Sequence, residues 1–351
     1  MKILIFIILK FLICNQTINI QYDYNKFALN IDKISNDNDA RKVRLNNFSS
    51  NKKNVLLGLI AKYNWETILP FIKSLIKSKF DNCDIVMFVS EVTFDVIENL
   101  QSFGIIVYKI KEKLKDSSQI FMERWNIYKN YLLINKEKYN LVLSVDIRDT
   151  IVQKPFFEIY ENYSNFIGFS YENATLDKLI NKDRIINKFG IELFNTIKDQ
   201  KIINAGTIWG TLDKFIEFSK KLYENLLIYP GVVDQALLNY LIYYYKLLEN
   251  CTVIYSDENG QVLTLGLAKR YYIKLDNENN IINNKGQIVS IVHQYNRFKD
   301  IKKIILDKIC PELIYRKISL NFFIYSLLLI LLLILKNQFI LYKYFPIMHN
   351  K

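Results

Sequence analysis

Histidine and cysteine are scarce, with two and four in 351 residues. No two cysteines form a C-x-x-C pair, so a structural zinc site is set aside. No G-x-G-x-x-G follows the first apolar run, which counts against a dinucleotide-binding Rossmann domain. Lys and Arg outnumber Asp and Glu by 47 to 35, a formal charge of +12. Even so, no basic run is interleaved with aromatics, and no zinc-finger or RNA-recognition spacing occurs. The surplus Lys comes with abundant Asn, Ile and Tyr and reads as compositional bias, so no nucleic-acid partner is expected. A moderate positive field still suits a ligand that carries phosphates.

What is present is apolar. Half of the chain is hydrophobic, enough for one large α/β domain or two smaller ones. The stretch at 139–157, YNLVLSVDIRDTIVQKPFF, organises the rest. Leu141, Val142, Leu143 and Val145 read as a strand buried on both faces. The run stops at Asp146, Arg148 and Asp149, at the carboxyl edge where open α/β sheets bind ligands. Two hard carboxylates there suit manganese, with magnesium second, bridging to the phosphates of a nucleotide. The alternative is a turn capped by Asp146, with Arg148 paired to Asp149.

In chain order, residues 1–14 have a charged start and a short apolar core and read as a secretory signal peptide. Its removal takes Cys14 and leaves Cys83, Cys251 and Cys310, from which at most one disulfide can form. Residues 15–53 are polar and read as a stem or linker. Strands at 55–61, 84–90 and 104–110 then alternate with helical patterns at about 68–77, 92–100 and 121–133, the pattern of a doubly wound sheet. Gly58, inside the first strand, either admits a ligand or serves packing. Arg124 and Trp125 read as a surface Arg and a core Trp, with phosphate contact by Arg124 the lesser option.

A further strand is expected at 166–171 and a polar helix or lid at 176–189. At 203–218, Asn204, Ala205, Gly206 and Gly210 either let backbone approach a ligand or mark a hairpin or bulge, and a helix starts near Thr211. Asp234 and Gln235 open a core helix, where the carboxylate complements the helix dipole or binds a hydroxyl-rich ligand. The segment from 288 reads as a strand ending at His293, a structural residue or a third metal ligand, with Arg297 able to meet phosphate from the same loop. Residues 320–335 are uncharged and nearly all apolar, a transmembrane helix or a buried core helix. Asn47, Asn162, Asn173 and Asn250 begin N-x-S/T sequons.

In this order the pieces resemble glycosyltransferases of the nucleotide-diphospho-sugar, GT-A fold superfamily, specifically the glycogenin-like branch or a D-x-R-D variant of it. The resemblance implies a GT-A (Rossmann-like) α/β domain at 54–300, a doubly wound mixed sheet in a single large domain. A juxtamembrane segment (301–318), a transmembrane helix (319–336) and a short tail (337–351) follow. By position, Asp146, Asp149 and His293 match the metal residues, with Asp146 turned toward the ribose or donor sugar. Asn204, Ala205 and Gly206 match a donor-sugar segment, to which Gly58, Arg148 and Arg297 are added as donor contacts. Asp234 and Gln235 match a catalytic pair near the transferred sugar and acceptor, Asp234 being the candidate base for an inverting reaction. DIRD has two residues between its carboxylates where the family has one, which opens the question of whether Arg148 replaces part of the metal's charge. The expected partners are a nucleotide sugar and a glycan, protein or lipid hydroxyl, and the expected place is an ER or Golgi membrane with a lumenal domain. A tail-anchored cytosolic domain is the alternative. The rival classes are an inactive GT-A-like membrane protein that binds nucleotide sugar or glycan, and a structural surface protein.

Overall fold

Strand and helix alternate from residue 53 in a computed structural model that describes residues 31–34 and 52–313, except 81, 112, 113, 115, 249 and 250, together with 328. The first half runs β1 (Ile31–Ile34), β2 (Lys53–Ala61), α1 (Trp65–Lys77), β3 (Cys83–Ser90), α2 (Phe94–Ser102), β4 (Ile106–Ile110), α3 (Ser117–Ile134) and β5 (Tyr139–Val145). The second half continues with β6 (Thr150–Val152), β7 (Phe166–Thr175), α4 (Leu179–Phe189), α5 (Ile191–Ile197), β8 (Lys201–Thr211), α6 (Leu212–Ile228) and α7 (Asp234–Tyr243). It closes with β9 (Thr252–Ser256), β10 (Val262–Thr264), the small β11 (Lys274–Leu275) and β12 (Ile281–Ile282) pair, β13 (Ile291–His293) and α8 (Lys299–Ile309).

Helix α1 starts where the Asn64 side chain accepts from Thr67 N at 3.0 Å, an N-cap bond that satisfies one orphan donor. It then buries Ile68, Phe71, Ile72 and Leu75 along one stripe, as its spacing predicts. In β2, Val55 and Leu57 face one core cluster with α3, α6 and α7, while Leu56 and Ile60 face another with α1 and α2. A strand sandwiched in this way can afford no polar face, which explains the unbroken apolar run.

The main sheet has the order β1-β4-β3-β2-β5-β8-β7-β10-β13-β6, with β9 on β7. The strands β4-β3-β2-β5 are parallel, and β8 then runs antiparallel to both β5 and β7. The α/β class and mixed sheet agree with expectation. The segment at 203–211 is not a hairpin: it forms the end of an eleven-residue central strand, with a bulge where the register against β7 passes from Phe169–Ile208 to Ser170–Asn204 and leaves 205–207 out of the pairing. Its glycines admit close pairing, since a Cβ at Gly210 would lie 2.6 Å from Phe166 O.

Two boundaries also move. Strand β1 lies inside the stretch read as polar stem and pairs antiparallel with β4. Past residue 300, α8 buries Ile301 and Ile305 against Ile281, Val289 and Val292, so the folded part includes residues read as juxtamembrane. The signal peptide, the apolar segment at 319–336, the tail, and the sequons at Asn47 and Asn250 fall outside the described residues, apart from 328. No helix among the described residues is long and apolar enough to cross a membrane. Cys83, Cys251 and Cys310 are free thiols.

Candidate active site

Strand register assembles the site. Val145, the last residue of β5, pairs with Thr207 of β8, and Asp146 N donates to Gly206 O at 2.7 Å. Along the same edge, Glu172 pairs with Thr264, Thr264 with His293, and His293 with Thr150. The turn from Asp146 to Asp149 therefore connects two strands that flank the edge, and a histidine more than a hundred residues later arrives beside it. Asp149 O fixes the turn by accepting from Gln294 N at 2.7 Å.

Asp146, Asp149 and His293 each present one ligand atom, all within 4.8 Å of one another. His293 Nε2 lies 3.5 Å from Asp149 Oδ1 and 3.7 Å from Asp146 Oδ2. His293 is 1% exposed and Asp149 3%, whereas the Asp146 side chain is 38% exposed, so Asp146 is the face of the cluster that a ligand can reach. Among the described residues no hydrogen bond reaches either His293 ring nitrogen or the neighbouring Thr150 hydroxyl, and the two carboxylates stand off Nε2 at ion-pair distance. An orphaned buried polar atom costs about 1–3 kcal/mol, and coordination would satisfy one nitrogen. Burial would lower the His293 pKa, but Asp149 and then Asp146 hold it above its usual value. Burial would likewise raise the Asp149 carboxyl, which His293, Arg148 and Arg297 instead hold below the ordinary range. Gly206 leaves the space: a Cβ there would overlap the imidazole and lie 2.6 Å from Asp146 Oδ2. Two carboxylate oxygens, an imidazole and a cradle that only glycine leaves open fit a divalent cation.

Behind this cluster lies a buried polar layer. Arg124, on α3, donates from Nη1 to Asp146 Oδ1 and from Nη2 to Asp234 Oδ2, each at 2.5 Å, and its Nη2 reaches Ala205 O at 3.4 Å. Arg124 is thus not a surface residue. It is 7% exposed, because a buried guanidinium between two carboxylates is tolerated where a solitary one is not. Asp234 Oδ2 also accepts from Trp125 Nε1 at 3.4 Å, and its Oδ1 accepts from Gln235 N at 2.9 Å. Both oxygens are engaged, so Asp234 is placed to hold Arg124 rather than to take a proton from an acceptor. Burial raises the Asp234 carboxyl against the pull of Arg124.

A third group adjoins. Asn204 donates to Glu172 Oε1 at 2.8 Å and to Gln235 Oε1 at 3.2 Å, while its own Oδ1 accepts from Gly206 N at 2.7 Å. Gln235 donates from Nε2 to Glu172 Oε1 at 3.0 Å, and its Oε1 accepts from Ala205 N at 3.4 Å. Asn204, Ala205, Gly206, Asp234 and Gln235 therefore meet at one place. Sequence reasoning missed Glu172, which sits in a strand read as ending at residue 171, within a stretch singled out only for the sequon at Asn173. It also undervalued Arg124.

The remaining expected residues divide. Arg148 is half exposed and pairs with Asp149 at 3.6 Å, the ion pair of the capped-turn alternative. Here it coexists with the cluster of Asp146, Asp149 and His293. Arg297 is exposed, and its charge acts on Asp149. Gly58 is not a ligand contact: it is buried, and a Cβ there would overlap Ile147 and lie 2.6 Å from Met87 Sδ. It makes room for the Ile147 side chain of the motif itself. Gly58→Ala is expected to destabilise the fold by about 1–3 kcal/mol through overpacking, read by urea denaturation, with partial recovery when Ile147→Val removes Cδ1. A role in ligand approach would leave stability unchanged.

No family model matches the chain, and no curated protein is similar to it. Among solved structures it is similar to the galactosyltransferase LgtC in complex with donor and acceptor sugar analogues, at 15% identity and a TM-score of 0.43, covering 72% of this chain and 95% of that one. An active-site mutant of LgtC gives 14% identity and a TM-score of 0.42, covering 71% and 94%.

Proposed function

We propose that this chain is a glycosyltransferase of the GT-A type, moving a sugar from a nucleotide-diphosphate donor to a hydroxyl acceptor with a divalent metal, manganese first. One observation carries the reading: the Asp146, Asp149 and His293 cluster, with its unpartnered imidazole, opens beside a layer of amide and carboxyl groups suited to sugar hydroxyls. Asp146, Asp149 and His293 would hold the metal. When bound, it would supply a positive charge that stabilises the leaving diphosphate as the glycosidic bond breaks.

The chain's own residues do the rest. Arg148 and Arg297 flank the cluster and add positive charge where diphosphate oxygens would lie. Arg124 keeps the Asp146 carboxylate turned to one side with a charge-assisted hydrogen bond. Asn204, Gln235 and Glu172 provide donors and acceptors for ring hydroxyls, and their mutual bonds fix their orientation before a ligand arrives. With both of its oxygens engaged, Asp234 is not free to act as the base of an inverting reaction. That favours retention, in which the departing phosphate oxygen takes the acceptor proton. A secretory membrane location with a lumenal domain, through the apolar segment at 319–336, belongs to the same proposal.

Purified protein given UDP-, GDP- or CDP-sugars with manganese is expected to release nucleoside diphosphate, faster with an acceptor, and to stop on chelation. Absence of release across donors and metals would count against the transferase and favour a binding-only protein.

A further inference from the structure

The candidate site shares Glu172 with a cavity of about 50 Å³ lined also by Tyr171, Asp257, Glu258, Thr264 and Tyr272. No Lys, Arg or His is among its lining residues. Glu172 is 4% exposed and accepts both of its bonds at Oε1, leaving Oε2 without a partner among the described residues. That oxygen belongs to a side chain that lines the cavity and is otherwise locked in place. Lys201 reaches the rim, but it is 3.8 Å from Glu258 and lies over the Tyr171 ring, so its charge is already answered. Next to Tyr272 stands Tyr271, and the two rings are 53% and 67% exposed with centroids 4.3 Å apart.

We infer that the hydroxyl acceptor is a neutral glycan of at least two sugar rings. Its first ring donates hydroxyls to Glu172 and Asp257, and its second lies against Tyr271 and Tyr272. This rests on the transferase reading above. An aromatic face suits the apolar C–H face of a pyranose while the phenol stays wet; Lys269 Nζ lies 5.8 Å from the Tyr271 centroid, outside the residues that line the cavity. Three carboxylates around the cavity accept hydroxyls and repel a carboxylate, sulfate or phosphate on the glycan.

The full chain, purified in detergent, is tested with neutral mono-, di- and trisaccharides and with their sialylated or sulfated counterparts, by saturation-transfer NMR and by transfer kinetics. Neutral oligosaccharides are expected to bind, with anionic ones at least about tenfold weaker. Tyr271→Ala and Tyr272→Ala are each expected to raise the disaccharide KM about three- to tenfold, with the monosaccharide KM changed less than about twofold. Preference for anionic glycans, or an unchanged disaccharide KM in both variants, overturns the inference. If the wild-type chain neither releases nor binds nucleotide, the transferase reading fails separately and the NMR decides. Neutral oligosaccharide signals that are lost in Tyr272→Ala keep the cavity as a glycan site, and their absence from the wild type removes it.

Discussion

Arg124→Ala is expected to destabilise the fold by about 3–5 kcal/mol, the cost of breaking a buried ion pair and leaving its partners uncompensated. Arg124 bonds Asp146, Asp234 and the Ala205 carbonyl from within the core, so one truncation takes a bond from all three and leaves the buried Asp234 carboxylate without its counter-charge. A lysine cannot span two carboxylates with a fork of donors, and Arg124→Lys should recover only part of the loss. The sign of the pH dependence follows from Asp234. Burial already raises its carboxyl, and without Arg124 only the weaker hydrogen bonds from Trp125 and the Gln235 amide oppose that rise. A carboxyl with a raised pKa in the folded state takes up a proton on folding, so the variant should gain stability as the pH falls and lose it as the pH rises. Urea melts of Arg124→Ala between pH 5 and 8 check both points. A loss under about 1 kcal/mol, typical of a surface ion pair, would mean that the guanidinium is not buried as described.

Asp149→Ala is expected to lower nucleoside diphosphate release by about 10²–10³-fold, the scale seen when one preorganised electrostatic group is removed from a transition state. The informative control is Arg148→Ala. In a turn held only by the ion pair between Arg148 and Asp149, at 3.6 Å, the two substitutions would have similar effects on stability and none on activity. In a metal site they separate. Asp149→Ala removes a ligand beside His293, whereas Arg148→Ala removes a half-exposed cation and should cost no more than about tenfold, in line with an outer charge that only supports the ligands.

How much of this the sequence discloses depends on the range of the interaction. Val142 to Val145 and the carboxylates after them are legible because a doubly buried strand and its charged end are both local features. His293 is legible only as a histidine at a strand end that a two-carboxylate metal site would accept, and as the late histidine that the family resemblance implies. The register that sets it beside Asp149, through β6 and β10, is not written in either segment. Arg124 was misread because a single Arg on a helix gives no sign of its partners, and Asp146 and Asp234 lie 22 and 110 residues away in sequence. Strand β8 is obscured by Gly206 and Gly210: Gly206 does sit in a bulge against β7, but the chain continues as one strand, and each glycine answers a neighbour brought by another part of the sheet. For Gly58 the local clue was real and its cause was packing: the space serves Ile147. Glu172 had no local clue beyond its strand, since its meaning comes from Asn204 and Gln235.

The central claim is a metal-dependent nucleotide site at Asp146, Asp149 and His293, and melting temperature tests it most directly. The protein is melted with UDP, GDP or CDP, each with manganese or with chelator. A nucleotide at a hundredfold its Kd should stabilise the fold by about 2.7 kcal/mol, a shift of about 2–4 °C for each kcal/mol at most in a domain this size. The account predicts a manganese-dependent shift with one of the nucleotides that disappears in Asp149→Ala. A folded protein that shows no shift with any nucleotide and metal, or the same shift with chelator present, would contradict it.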